Sequence, residues 1–504
     1  MRGLGIGLGV REIASGVVGN QPYFLYGQPV ATLEGGTTTL DEVSGVAASY
    51  DNSDVLWCID DSAGAVLFAV NTDGSRNGNW TVTGASNTDW EDVAVANGYV
   101  YVADIGDNAA ARGTIVIYRI VEPTTTGSNG TIDAGDIEAI TCQYPGTPLG
   151  EGGGTARDAE TLLVDPLTND MYIVTKRTSV PQVFRLAYQA SYSGTQTLEH
   201  VGNLSALPEP SSPPTPGQAV GGCISANGKE ALLKTYDKVF RYSRTASQSV
   251  IEMLQGTRVE TACVGLGSFP YQEPQSEAIT FDATDSGYYT ISETGTGADA
   301  IIFPIFYYAR VDRAPTTVEF QQGTDSYTGC SDTYTDTDAP GTAQGSATTM
   351  IADFDAGGRY RQGLCKFESI VGASDIPSGS KILGAHLEIY INTEGQSFEI
   401  HKMLADWVDT DTLNDITGGT AIARDDAEAS AAVVGNTTWA GNIDTYVGPF
   451  QLPLNAAGVA AIQAWVNGET NNGFLFHSND EDGLQIRSAD YATVGDRPKL
   501  VVQY

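Results

Sequence analysis

Between Leu40 and Val311 one pattern of residues returns five times. A small or acidic residue opens a short apolar strand, a polar turn follows, and an aromatic-rich strand then ends in polar residues. The copies read VSGVAASYDNSDVLWCIDDS, WEDVAVANGYVYVADIGDN, AETLLVDPLTNDMYIVTKR, GGCISANGKEALLKTYD and EAITFDATDSGYYTISE. Each is followed by a further strand, respectively VLFAV, TIVIYRI, VFRLAY, VFRYSR and IIFPIFYYARV. The openings at Ser44, Glu91, Glu160, Gly222 and Glu277 lie roughly 45 to 70 residues apart. A single unit of this kind cannot bury both faces of its sheet, so the copies must stack, and four-stranded units at this period stack as blades around a channel. The chain is therefore expected to be all-β, with a β-propeller of five or six blades. A sixth blade would lie around Arg258 to Phe269. The segment PYFLYGQPVATLEG, from Pro22 to Gly35, is expected to close the ring by completing the last blade.

At 504 residues the chain exceeds what one core organises, so more than one domain is expected. Composition shifts near Ala314. Beyond it come alternating strands (ILGAHLEIYI, GFLFHS, LQIRSA, PKLVVQY) and one helical stretch, AAGVAAIQAWVNG. The expected division is a docking arm over 1–21, a propeller over 22–314 and a β-sandwich or jelly-roll binding module over 315–504. The 58 glycines and scarce lysines suit short strands joined by tight turns. The Pro-rich run ALPEPSSPPTPGQ is expected to be an exposed loop between blades. The first twenty residues are apolar, but glycine alternates through them and Arg11 interrupts them, so they do not read as a leader. Such an arm is expected to dock onto something, a neighbouring subunit for example.

The formal net charge is −36. A surface of that sign repels phosphate backbones and anionic membranes, which argues against nucleic acid as a partner. No apolar run is long enough to span a bilayer, so membrane insertion is not expected. The six cysteines, Cys58, Cys142, Cys223, Cys263, Cys330 and Cys365, lack the CxxC spacing of zinc sites. Whether Cys330 and Cys365, both in the C-terminal part, pair with each other stays open. The four histidines, His200, His386, His401 and His477, stand in no serine or cysteine setting that would make a nucleophilic triad. GLGIGLG precedes no βαβ unit and is no nucleotide fingerprint.

The innermost strands of a propeller converge on its channel. Glu91, Asp92, Asp158, Glu160 and Glu277 occupy equivalent openings of different blades, while Asp60, Asp61, Asp104, Asp107, Asn108 and Glu293 occupy equivalent strand ends. Carboxylates brought together in this way demand a compensating cation, and hard oxygen ligands suit Ca²⁺. The candidate metal ligands are Glu91, Asp92, Asp104, Asp107, Asp158, Glu160 and Glu277, with the ion structural rather than catalytic. The bland alternative is that these acids cap turns or pair with Arg112, Arg157, Lys176 and Lys234. In the C-terminal part Trp407, Trp439, Tyr334 and Tyr360 are candidate glycan-stacking residues, each with core packing as its alternative. The acidic run SDTYTDTD is a candidate second Ca²⁺ loop.

Two family resemblances follow from these motifs. DWEDVAV, YVADIGDN, Arg112, IYRIVEP, DAETLLVDP and YIVTKR resemble the phytase-like propellers, over about Leu40 to Val311. Asp332-Thr333-Tyr334, Arg361 with GLCKF, IPSGSKILGAHLEIYI, the helix with Trp465 and Gly468, and Arg497-Pro498 with KLVVQY resemble the DNRLRE-type modules, jelly rolls related to carbohydrate-binding modules, over about Val318 to Tyr504. The family's Trp-Thr-Trp region reads DWVDTDTLND here, with Trp439 arriving later, so its ligand site does not carry over. The phytase-like resemblance implies calcium-dependent hydrolysis of phosphate esters, with Arg157, Lys176 and Lys234 holding the phosphate.

Three functions follow as expectations. The preferred one is a non-enzymatic extracellular surface protein, a phage virion decoration, spike or tail-fibre protein that binds host glycans or neighbouring subunits in a symmetric assembly. The second is a secreted calcium-dependent phytase-like phosphoesterase with an appended carbohydrate-binding module. The third is a component of a cell-surface filament or layer.

Overall fold

The computed structural model describes residues 23–504 except 26, 33–39, 41, 179, 209–217, 265–272, 274, 294–303, 356, 373–374 and 438–445. The arm over 1–21, Trp439 and most of the Pro-rich run lie outside the described residues.

The apolar repeats become five antiparallel sheets arranged in a ring. Their innermost strands are Val43–Ala48, Trp90–Ala96, Ala159–Val164, Gly221–Ile224 and Ser276–Phe281. Each touches the innermost strand of the next blade, and the fifth returns to the first, which closes the ring. These strands are apolar on both faces because both are covered by neighbouring blades, and Val43–Ala48, Ala159–Val164 and Ser276–Phe281 are buried along their whole length. The second and third strands of each blade are the aromatic-rich segments seen in the sequence. The outer strands are more polar: Arg76–Val82, Ile137–Gln143, Glu199–Asn203 and Val259–Thr261 complete blades one to four.

Blade five takes its outer strands from the opposite end of the propeller sequence. Gln28–Thr32 and Tyr23–Phe24 both pair antiparallel with Pro304–Val311. The ring is thus fastened by hydrogen bonds between residues nearly three hundred positions apart. The blade number is five. Val259–Thr261, within the segment that offered a sixth blade, is the outer strand of blade four. Two short strands also cross between blades. Gly130–Ile132, which lies in sequence between two strands of blade two, adds in parallel to the edge of blade one, and Gln196–Thr197 does the same from blade three to blade two. Both cover edges that would otherwise offer unpaired backbone groups.

The C-terminal part is a β-sandwich. One sheet contains Thr317–Gln321, Lys499–Gln503, Gly384–Ile391 and Gly448–Pro453, with Leu484–Arg487 on its far side. The other contains Cys330–Asp336, Arg359–Phe367, Phe474–His477, Glu399–Met403 and Ala429–Asn436. Thr349–Asp355 belongs to both, pairing through its first half with Leu484–Arg487 and through its second with Arg359–Arg361. The expected helix forms over Ala456–Val466, where the Asn455 side chain caps the backbone N–H groups of Ala457 and Gly458. Its Trp465 packs edge-on against Phe474. A continuous buried cluster runs from blade five (Phe24, Tyr288, Phe306) into the sandwich (Phe320, Leu387, Val502). No helix among the described residues is long and apolar enough to cross a membrane.

Candidate metal centre

In four of the five blades the pairing of the first and second strands skips one residue. The skipped residues are Ser44, Glu91, Glu160 and Glu277. Each is a β-bulge, in which an extra residue leaves the ladder and its side chain is re-aimed. Blade four pairs without a skip, through Gly221 and Gly222. The bulged serine turns away, donating its hydroxyl to the carbonyl of Trp90 at 2.7 Å. The three bulged glutamates do not. Glu91, Glu160 and Glu277 each bring a carboxylate oxygen to within 4.8 Å of the others. They come from blades two, three and five, and all three are buried.

Among the described residues one cation of the chain reaches them. Lys176, just past the second strand of blade three, pairs with Glu160 and lies 3.9 Å from Glu277. Tyr236 of blade four donates its hydroxyl to Glu277 at 3.1 Å, and its ring lies 5.4 Å from the Lys176 ammonium. Three carboxylates against one ammonium leave two negative charges uncompensated. Oε2 of Glu160 is buried and makes no hydrogen bond, an expensive state for a carboxylate oxygen.

The electrostatics follow from that imbalance. Burial, with the Glu160 and Glu277 charges, pushes the Glu91 carboxyl well above the ordinary range. Burial and Glu277 do the same to Glu160. Burial raises Glu277 to about 8 against the opposing pull of Lys176. Burial alone would lower Lys176, but the carboxylates beside it hold its ammonium above the ordinary range. Lys176 therefore stays charged and neutralises one carboxylate. Burial and mutual repulsion bias the others toward the neutral form, and a further cation would favour their charged form.

The acidic region continues over the same end of the channel. Burial and neighbouring carboxylates raise Glu293 and Asp61 to about 7. Glu42, Asp60 and Asp61 form a second group with oxygens within 4.8 Å. There, however, Asp60 already accepts backbone N–H groups of Glu42, Ser62 and Ala63, which makes it a turn-capping residue.

The remaining sequence candidates fall elsewhere. Asp92 is adjacent to Glu91 but lies outside the cluster of three glutamates. It accepts the backbone N–H of Leu162 at 2.7 Å and of Val93 at 2.8 Å, so it fastens blade two to blade three rather than holding a cation. Asp104 pairs with Arg112 at 2.8 Å. Asp107 accepts the backbone N–H groups of Ala111 and Arg112. Asp158 accepts the Asp107 N–H at 2.8 Å and pairs with Arg177. Asp104 pairs with Arg112 and Asp107 caps a turn, as the alternative held, whereas Asp158 takes Arg177, a partner the sequence did not name for it. Glu42 and Tyr236 were missed: the first precedes the repeat, and a tyrosine beside a lysine carries no signal of its own.

The basic residues named for a phosphate do not converge either. Arg157 is fully buried, donates to Gln182 at 2.9 Å and to the carbonyl of Pro148, and lies over the Tyr144 and Phe184 rings. Lys234 is fully buried and 3.8 Å from the Cys263 sulfur. Of the three, Lys176 is the one that pairs with the glutamate cluster among the described residues.

In the sandwich, Trp407 is 1% exposed, its indole N–H donating to the carbonyl of Asn472 and its ring 5.0 Å from the Lys366 ammonium. It is a core residue with no free face for a sugar. Tyr334 is half-buried, as is Tyr360, which packs against Phe354 and His477. Asp336 of the acidic run is held by Arg359, and Asp332 accepts the Ala489 N–H and is raised to about 7 by burial. They form no common cation site.

No family model matches the chain, and no curated protein matches it. Solved structures with a similar backbone include the PQQ-bound aldose sugar dehydrogenase of Streptomyces coelicolor, at 10% identity and a TM-score of 0.33 over 58% of this chain and 99% of that one. A gluconolactonase from Xanthomonas campestris aligns at 11% identity and a TM-score of 0.30, over 53% of this chain and 72% of that one. A luciferin-regenerating enzyme aligns at 12% identity and a TM-score of 0.30, over 56% of this chain and 95% of that one. At that level of likeness their activities stay with them, and the chain itself stands as an all-β protein built on a five-bladed β-propeller.

Proposed function

We propose that this chain is a non-enzymatic, extracellular binding protein whose propeller is organised around one divalent cation, Ca²⁺, held by Glu91, Glu160 and Glu277. The observation that carries the reading is the convergence of these three buried carboxylates on bulges of three different blades, with Lys176 alone to balance them among the described residues. Three hard oxygen donors, a deficit of two charges and a buried oxygen of Glu160 without a partner fit a divalent ion. An ion bridging blades two, three and five would lock the ring as a structural ligand. The sandwich then supplies a second surface, for glycans or for neighbouring subunits on a virus particle or cell surface.

The phosphoesterase alternative loses support from the same geometry. A cation could activate water, but of the three basic residues it needs, Arg157 and Lys234 are buried in other contacts.

The test is thermal unfolding of the whole chain in chelator and in excess Ca²⁺, with hydrolysis of a generic phosphate monoester followed in parallel. The reading expects Ca²⁺ to raise the propeller transition without producing turnover. An unchanged transition would remove the cation. Turnover abolished by EGTA would replace the binding role with the hydrolase.

A further inference from the structure

The sandwich holds two buried thiols against each other. Cys330 lies on the strand Cys330–Asp336 and Cys365 on Arg359–Phe367, and the register places Cys330 opposite Phe367 and Asp332 opposite Cys365. Side chains alternate along a strand, so 330, 332, 365 and 367 share one face and the two cysteines are diagonal neighbours. Their sulfurs are 3.9 Å apart. Both residues are buried, at 6% and 1% exposure.

We propose that Cys330 and Cys365 form a disulfide in the mature protein. A bond needs the sulfurs at about 2.05 Å, so the present separation must close by under ~2 Å, through side-chain rotation together with a small approach of the two adjacent strands. The strands involved are separated in sequence by the strand Thr349–Asp355, which crosses between the two sheets. The bond therefore cross-links two neighbouring strands of one sheet at the end of their ladder away from Arg361, and it restricts the unfolded chain over that loop.

The chemistry balances with a glutathione-type disulfide as oxidant. One cysteine thiolate attacks it, forming a mixed disulfide and releasing one reduced thiol. The second cysteine displaces the other glutathione, so the protein gains one S–S bond and loses two protons to two glutathione thiols. The hydrogen bond from Cys330, together with burial, holds the Cys365 thiol well above its ordinary range. Exchange in the closed sandwich is therefore slow, and the bond forms while the strands assemble, in a compartment where disulfides persist.

The whole chain is refolded in a buffer of reduced and oxidised glutathione, unfolded without reductant, treated with iodoacetamide and digested. The expected product is a cross-linked pair of peptides carrying 330 and 365, two hydrogens lighter than the two thiol peptides. Recovery of both cysteines as alkylated thiols overturns the proposal. A Cys330→Ser variant guards against a folding artefact. Its Cys365 should be alkylated, and reductant should lower the unfolding midpoint of the unsubstituted chain while leaving the variant's unchanged. A midpoint that reductant lowers equally in both would also overturn it.

Discussion

Glu160 and Lys176 form a buried ion pair inside an excess of like charge, and the consequences are measurable. Replacing Lys176 by Met leaves the carboxylates without their ammonium. In chelator the variant should lose about 3–5 kcal/mol, the usual effect of breaking a buried pair, and excess Ca²⁺ should restore most of it in a denaturant titration. Protons compete with the cation for the same oxygens. Glu277 holds its proton up to about 8, so Ca²⁺ affinity should rise with pH to about 8 and fall by up to about tenfold per unit below it, as read by calorimetry. The sign for stability follows from linkage. Between the ordinary 4.5 of a glutamate and about 8 the folded, cation-free chain binds a proton that the unfolded chain has lost, so chelated protein should lose stability as pH rises through that window. Saturating Ca²⁺ should flatten this slope. The three glutamates were legible as repeated openings of the blades. What separates Glu91 from its neighbour Asp92 was not. Both are acids at a blade opening, and only the bulge decides that one faces the channel while the other collects backbone N–H groups from the next blade. Asp92→Ala should cost about 1–3 kcal/mol for each stranded N–H without lowering Ca²⁺ affinity directly.

At the scale of elements, the inner three strands of each blade were legible because burial on both faces makes them continuously apolar. The outer strands were not. RNGNWTV and VET face solvent and carry little period-two signal, and the crossing strands Gly130–Ile132 and Gln196–Thr197 are too short to register in composition. The bulges were invisible for a related reason: one skipped residue changes no pattern of residue types. The closing strand was legible, and it carries a prediction. A chain beginning at Leu40 lacks Gln28–Thr32 and leaves Pro304–Val311 as an open edge. It should be cleaved rapidly in blade five under limited proteolysis, and a peptide spanning residues 22–35 should restore protection. In the sandwich Trp407 looked like a ligand platform because tryptophan in an acidic, polar stretch reads as exposed. The fold instead brings Asn472 and Lys366 over it. Trp407→Ala should cost about 3–5 kcal/mol in a denaturant titration, as the loss of a core residue.

The whole molecule joins two β architectures in one chain, with the buried cluster of blade five running into the sandwich. Its net charge is −36, and among the described residues the groups of carboxylates forced together are those of the propeller, Glu91 with Glu160 and Glu277 and Glu42 with Asp60 and Asp61. A strongly anionic surface draws divalent cations and repels phosphate esters, and Arg157 and Lys234 are engaged in contacts of their own with Gln182 and Cys263. The most direct measurement is the electron density of crystals grown with Ca²⁺. The account predicts one strong peak on the channel axis, about 2.3–2.6 Å from oxygens of Glu91, Glu160 and Glu277, with Lys176 still paired to the site. Density showing only Lys176 and water between the three glutamates at saturating Ca²⁺ would contradict it.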